Sequence, residues 1–284
     1  MPFTLAVITS DRSLLGCQMD LVKQRLAPSA EPPRAVGLGF TEADEILLRK
    51  RPGPQGPLDL SEATSHVASE VLFLFAGKPG GVGAFVDEDV MPLRFRRWLF
   101  MHHGPLASPA QTRQELVQAV PAFLARQARG STASELCFLT FVNLMRDGGL
   151  SEEFELSARV AGAHLAETAR IVEGIERERG KVGNLGFYVT NGRILAATRL
   201  GEASLHYALL EGIARCERCH ITETTPDTRP QVRAHRRVRG VVLTSDVAPG
   251  SGFIEVPEAS VVMVGQRLEV QVSPIAKTAP PLRG

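Results

Sequence analysis

Short apolar runs separated by polar breaks open and close the chain, and longer amphipathic stretches fill its middle. Phe3 to Thr9 is short, apolar and rich in β-branched residues, which predicts a strand. Ala35-Val36-Gly37-Leu38-Gly39-Phe40 and Glu45-Ile46-Leu47-Leu48 flank a polar turn and predict two more. A Pro- and Gly-rich loop follows from Pro52 to Pro57. Val71 to Phe75 and Trp98 to Met101 read as buried strands.

Helical signals come next. Ser108-Pro109 predicts an N-cap with proline at the first helical position, and that helix runs to about Arg129 with a kink at Pro121. A second helix is predicted from Ala133 to Met145. Ser151, followed by Glu152 and Glu153, predicts the cap of a third and long one reaching Arg179, where Gly180 stops it. Beyond it the period returns to two. Leu185 to Thr190, Asn191-Gly192 and Arg193 to Thr198 predict a hairpin with a type I′ turn. Val241 to Thr244, Ser260 to Val264 and Leu268 to Val272 are further strands. Strands at both ends with helices between them predict an α+β protein whose terminal strands share sheets in one domain, residues 1–275, with a loose tail at 276–284.

Several blocks, in this order, resemble the class II glutamine amidotransferases, specifically their compact stand-alone branch. They are Ala35 to Phe40 with Arg51-Pro52-Gly53-Pro54, then Pro92-Leu93-Arg94, then Trp98-Leu99-Phe100-Met101-His102-His103-Gly104-Pro105-Leu106. Next come Gly130-Ser131-Thr132-Ala133-Ser134-Glu135, Gly183-Asn184-Leu185-Gly186-Phe187, Thr190-Asn191-Gly192 and Ala197-Thr198-Arg199. Val241-Val242-Leu243-Thr244-Ser245-Asp246 and Glu255-Val256-Pro257 close the series. The resemblance implies the N-terminal-nucleophile hydrolase fold, an αββα four-layer sandwich.

It also implies where chemistry would sit. In that family a Cys directly after the initiator Met attacks the glutamine side-chain amide, with its own α-amine as base. Here the position is Pro2, which has no thiol and would present a secondary amine once Met1 is removed. An Asn side chain and a Gly N–H stabilise the oxyanion, a contribution of roughly 3–4 kcal/mol in comparable enzymes. Gly104 keeps the backbone donor, but His103 stands at the Asn position. The strand that carries the family's His-x-Arg matches Leu72 to Ala76, which has neither residue; Lys78 is the nearest cation. The Asp that holds the substrate amine is replaced by Ala133, close to Ser131. Nucleophile, oxyanion donor and both substrate anchors are thus altered together.

Composition adds little to this. The chain has 284 residues, 44% hydrophobic and 22% charged, with 32 Lys+Arg against 31 Asp+Glu. That balance predicts a globular chain and gives no reason to expect a nucleic-acid or anionic-membrane partner. No run approaches the roughly 20 apolar residues of a membrane span, and no signal peptide opens the chain, so a cytoplasmic location is expected.

Two further features carry candidate chemistry. Cys216-Glu217-Arg218-Cys219-His220 matches the c-type haem attachment pattern and half of a zinc site. Cys17 and Cys137 stand isolated in the sequence, and His206 or His235 could complete a set. Set against these is a loop with two reduced thiols, and neither metal nor cofactor is expected. Arg229 to Arg239, with Arg233, Arg236 and Arg237, reads as a basic loop, solvated or docked on a partner protein.

Three functions follow as expectations. The leading one is a catalytically degenerate amidotransferase-like protein that binds a metabolite, such as a γ-glutamyl or amino-acid ligand, or a partner. Another is an active amide or γ-glutamyl hydrolase working with the Pro2 amine, His103 and the Gly104 N–H. The last is a structural subunit of an enzyme assembly, docked through Arg229 to Arg239.

Overall fold

A computed structural model describes residues 2–27, 31–52, 56–78, 86–150, 153, 155–178, 180 and 183–276. The predicted features at Gly53, Pro54, Ser151, Glu152, Arg179 and the tail beyond 276 lie outside the described residues.

Thirteen strands among the described residues form two antiparallel sheets. In chain order they are β1 (Phe3–Thr9), β2 (Ala35–Glu42), β3 (Glu45–Pro52), β4 (Val71–Gly77), β5 (Leu93–Phe95), β6 (Trp98–His103), β7 (Gly186–Thr190), β8 (Leu195–Arg199), β9 (His206–Glu211), β10 (Arg239–Thr244), β11 (Ile254–Glu255), β12 (Ser260–Val264) and β13 (Val270–Pro274). The helices are α1 (Leu15–Val22), α2 (Leu60–Thr64), α3 (Pro109–Ala119), α4 (Ala122–Ala125), α5 (Ala133–Asp147), α6 (Ala158–Arg177) and α7 (Pro230–Arg237).

One sheet runs β11-β9-β10-β1-β4-β2-β3 and the other β13-β12-β8-β7-β6-β5. The N-terminal β1 pairs with the late β10, Leu5 opposite Thr244 and Ile8 opposite Val241, so the two ends of the chain share a sheet as predicted. The period-two alternation sorts each strand between two cores. Ala6 and Ile8 join the main core between the sheets, while Phe3, Leu5 and Val7 pack under α1 and α2. On β6, Trp98 and Phe100 turn the other way and meet Phe141 and Phe138 of α5. The layers are therefore helices, sheet, sheet, helices, as the resemblance implies.

Gly37 and Gly39 of β2 allow the sheets to close. A Cβ at Gly37 would fall onto the Met91 carbonyl oxygen, and one at Gly39 would lie 2.7 Å from Leu99 Cδ1.

Several local details differ from the sequence reading. The helix after Ser108 breaks at Val120-Pro121 into α3 and α4, and the Ser108 side chain makes no capping bond. Its cap comes from α6 instead. The buried Glu176 carboxylate accepts the Ala107 and Ser108 N–H groups at 3.1 and 3.0 Å and the Thr112 hydroxyl at 3.1 Å. The long helix starts at Ala158, capped by Ser157, because its buried positions Ala161, Leu165, Ala169 and Val172 begin there. The hairpin turn is not type I′, which needs positive φ at both central residues. Of the two, only Gly192 has positive φ, and Asn191 Oδ1 accepts the N–H groups of Arg193 and Ile194. The basic segment is mostly helix, α7, rather than a loop. Its Arg236 is spent on Asp227 and on the Glu223 and Thr225 carbonyls.

Candidate functional site

The end of the sandwich where β1, β6 and β10 meet holds two of the positions that the resemblance singles out, Pro2 and His103, and brings Asp246 beside them. Pro2 precedes β1, His103 ends β6, and Asp246 follows β10. On β6, the residues alternating with Trp98 and Phe100 face the other sheet, which turns His103 toward the head of β1. The His103 ring is 1% exposed and lies against the Pro2 backbone and within electrostatic reach of the Asp246 carboxylate. Neither ring nitrogen has a partner within hydrogen-bond geometry among the described residues. Burial holds this imidazole below its ordinary pKa, with Asp246 and the Pro2 backbone opposing the shift.

Asp246 is anchored in turn. It accepts the Ser245 hydroxyl at 2.6 Å, and Ser245 Oγ accepts the Thr4 N–H at 3.1 Å. Thr4 donates to the buried Tyr188 hydroxyl at 3.3 Å, bridging the two sheets next to the site. In the sequence Asp246 figures only as the end of a strand block. Its proximity to His103 arises from sheet pairing and has no local sequence signal.

His102 points into the helical layer. Its Nδ1 shares a 2.9 Å hydrogen bond with Ser134 Oγ, and its Nε2 lies 3.3 Å from the Asn184 carbonyl oxygen. Burial lowers its pKa to about 4, so it is a neutral packing residue at physiological pH. Gly104 turns the chain out of β6 with φ +97°, and a side chain there would strike the Asn184 carbonyl.

The remaining candidates divide. Pro2 and Lys78 line one cavity of about 280 Å³, with Glu31, Arg34, Leu58 and Gly77 among its walls. The Pro2 ring packs on Gly77, where a Cβ would lie 2.6 Å from its own Cβ. His103 and Gly104 do not line that cavity. Ser131 and Ala133 do not either. Ser131 is clasped to Asp89, whose Oδ1 accepts the Ser131 N–H at 2.7 Å and whose two oxygens receive its hydroxyl at 3.2 and 3.1 Å. Ala133 is buried at the start of α5. A larger cavity of about 750 Å³ opens between β3, β5 and α5 around Lys50, Arg94 and Glu135, and contains none of the predicted site residues.

Among the described residues no cysteine lines the cavity at Pro2. Cys137 is enclosed within α5, and burial pushes its thiol pKa up. The other three cysteines correct the sequence reading. Cys17, isolated in the sequence, is not isolated in the fold. Cys17, Cys216, Cys219 and His235 place one donor atom each within 4.8 Å of one another. His220, the last residue of the haem-like pattern, is exposed, and His206 is not in the cluster.

No helix among the described residues is long and apolar enough to cross a membrane. No protein-family model and no curated protein matches the chain. Solved structures do. A glutamine aminotransferase class-II domain protein from Silicibacter pomeroyi superposes with a TM-score of 0.58 at 18% identity, over 96% of this chain and 99% of that one. A predicted glutamine amidotransferase from Pseudomonas aeruginosa gives 0.51 at 16% identity, over 95% of each chain. The glutamine phosphoribosylpyrophosphate amidotransferase from B. subtilis gives 0.54 at 12% identity, over 97% of this chain and 50% of that longer one. The two antiparallel sheets, the helical layers on either side and these superpositions together give the chain the N-terminal-nucleophile hydrolase fold of class II glutamine amidotransferase domains.

Proposed function

We propose that this chain is a catalytically degenerate member of the amidotransferase-like group that binds a small amino-acid-like ligand instead of hydrolysing glutamine. The observation that carries this reading is Pro2 at the head of β1, where the fold's chemistry requires a nucleophile, with no cysteine lining its cavity among the described residues. His103 packs behind Pro2 and stands where the group's oxyanion-binding Asn would be. Fold alone does not fix activity, so the reading rests on these side chains.

The cavity at Pro2 supports a ligand-binding role. Arg34 and Lys78 bring positive charge to its walls, and Glu31 brings negative charge. A free amino acid carries a carboxylate and an ammonium, the complementary pair. A second reading, hydrolysis by the Pro2 secondary amine, draws on the same placement of Pro2 beside His103. An α-amine titrates at roughly 7.7–8.0, so such a base would be competent near neutral pH.

A thermal-shift titration of tag-free protein with glutamine, glutamate and γ-glutamyl compounds tests the proposal. A ligand at a hundred times its dissociation constant adds about 2.7 kcal/mol of stability. A raised melting temperature that Lys78→Ala diminishes is the expected result. No shift with any of these compounds would overturn ligand binding and leave the structural-subunit role.

A further inference from the structure

Far from Pro2, three segments of the chain converge on one buried point. Cys17 lies on α1, Cys216 and Cys219 on the turn after β9, and His235 on α7. The Cys17 and Cys219 sulfurs are 3.6 Å apart although 202 residues separate them. All four donor atoms fall within 4.8 Å of one another.

The geometry of each donor is specific. Cys216 and Ile221 exchange two backbone hydrogen bonds of 2.9 Å, closing a tight turn that passes through positive φ at His220. That turn brings both thiols to one side, with the Cys219 N–H directed at the Cys216 sulfur. His235 is fully buried. Its Nδ1 is 2.8 Å from the Gln231 carbonyl oxygen, which fixes the proton on Nδ1 and leaves Nε2 with a lone pair. Nε2 has no partner among the described residues. An unsatisfied buried polar atom is costly, so an imidazole held this way needs a partner. Metal-binding histidines are oriented by this type of second bond to a backbone carbonyl.

We propose that Cys17, Cys216, Cys219 and His235 Nε2 hold a structural zinc ion. Three thiolates and one imidazole form a closed tetrahedral set with no position left for water or substrate. Zinc–sulfur bonds of about 2.3 Å place tetrahedral sulfurs roughly 3.8 Å apart, close to the observed Cys17–Cys219 separation. A disulfide needs sulfurs about 2.05 Å apart, would use only two of the thiols, and would leave Nε2 unsatisfied. None of the four cysteines is in a disulfide. The surroundings suit a structural ion. Leu14, Ile213, Ile221, Val232 and Val238 wrap the cluster in a small apolar core of their own. The bound set carries one net negative charge, and the neighbouring Arg218 guanidinium, paired with Asp20 at 2.8 and 3.2 Å, ties the cysteine turn to α1. Zinc would thus fasten the 213–238 segment to the N-terminal helix, a small core too thin to hold itself.

Metal analysis of the whole chain, expressed with zinc and purified under reducing conditions, tests this. The expected content is about one zinc per chain, reduced at least fivefold or so in Cys216→Ser and His235→Ala and unchanged in Cys137→Ser and His206→Ala. Either ligand variant can fail to fold, so the wild type carries a second readout. After chelation its melting temperature should fall and return with Zn²⁺ but not Mg²⁺, and Co²⁺ should give the visible bands and sulfur-to-metal charge transfer of a tetrahedral thiolate site. Folded wild type that takes up neither Zn²⁺ nor Co²⁺ overturns the proposal. So does zinc that persists in a soluble Cys216→Ser/His235→Ala double variant.

Discussion

The His103 imidazole packs against the backbone of Pro2, joining the end of β6 to the head of β1 across the sheet interface. With His102 it makes a pair of buried rings facing opposite layers, and burial depresses both pKa values. A folded pKa below the unfolded one means that the unfolded chain binds the proton more tightly. The stability that neutral His102 contributes is therefore complete above pH 6.5 or so and is lost as pH falls toward about 4. Each proton taken up on unfolding adds a slope of about 1.4 kcal/mol per pH unit within that window. Urea unfolding across that range should show the slope in wild type and a flatter one in His102→Asn; equal slopes would contradict the assignment.

Glu176 should be a strong stability determinant. Its carboxylate closes the N-terminus of α3 from α6. Charge-assisted bonds at a helix start are among the stronger ones. Glu176→Gln should cost about 1–2 kcal/mol, and Glu176→Ala about 3 or more, because buried N–H groups lose their acceptor. Chemical denaturation of both variants measures this.

Two glycines should respond in opposite directions. Gly37→Ala puts a methyl group onto the Met91 carbonyl, a backbone atom that cannot rotate aside, and should destabilise by roughly 3 kcal/mol or prevent folding. Gly174, inside α6, leaves open space for 4 Å around the position a Cβ would take, so Gly174→Ala should gain about 0.5–1 kcal/mol. Melting temperatures of the purified variants decide both.

Restoring the thiol alone should not restore chemistry. Pro2→Cys supplies a nucleophile, but under the proposed reading His103 and Ala133 replace an oxyanion donor and a substrate anchor that the reaction would still need. Glutamine-dependent ammonia release by Pro2→Cys should stay at background. Turnover would show that the surrounding pocket is intact.

Much of this architecture is legible locally. β12 occupies the predicted Ser260 to Val264, and α5 begins at Ala133 as its sequence suggests. Apolar period and capping residues suffice there because one face is buried. The start of α6 is not legible in this way. Ser151-Glu152-Glu153 offers a better local cap than Ser157, while packing against β8 and β12 selects the latter. Pro2, Lys78 and His103 emerge from the sequence only as positions in the resemblance. The sequence offers Cys216, Cys219 and His235 as candidate ligands, but it does not show that Cys17 joins them or that Asp246 lies beside His103, since helix docking and sheet pairing bring together residues distant in sequence.

Ammonia release from glutamine, measured on tag-free wild type beside Pro2→Ala, puts catalytic degeneracy itself to the test. Release should be indistinguishable between the two and no faster than in protein-free buffer. Glutamine-dependent release by wild type that Pro2→Ala abolishes would contradict degeneracy and establish Pro2 as the working amine of an active hydrolase.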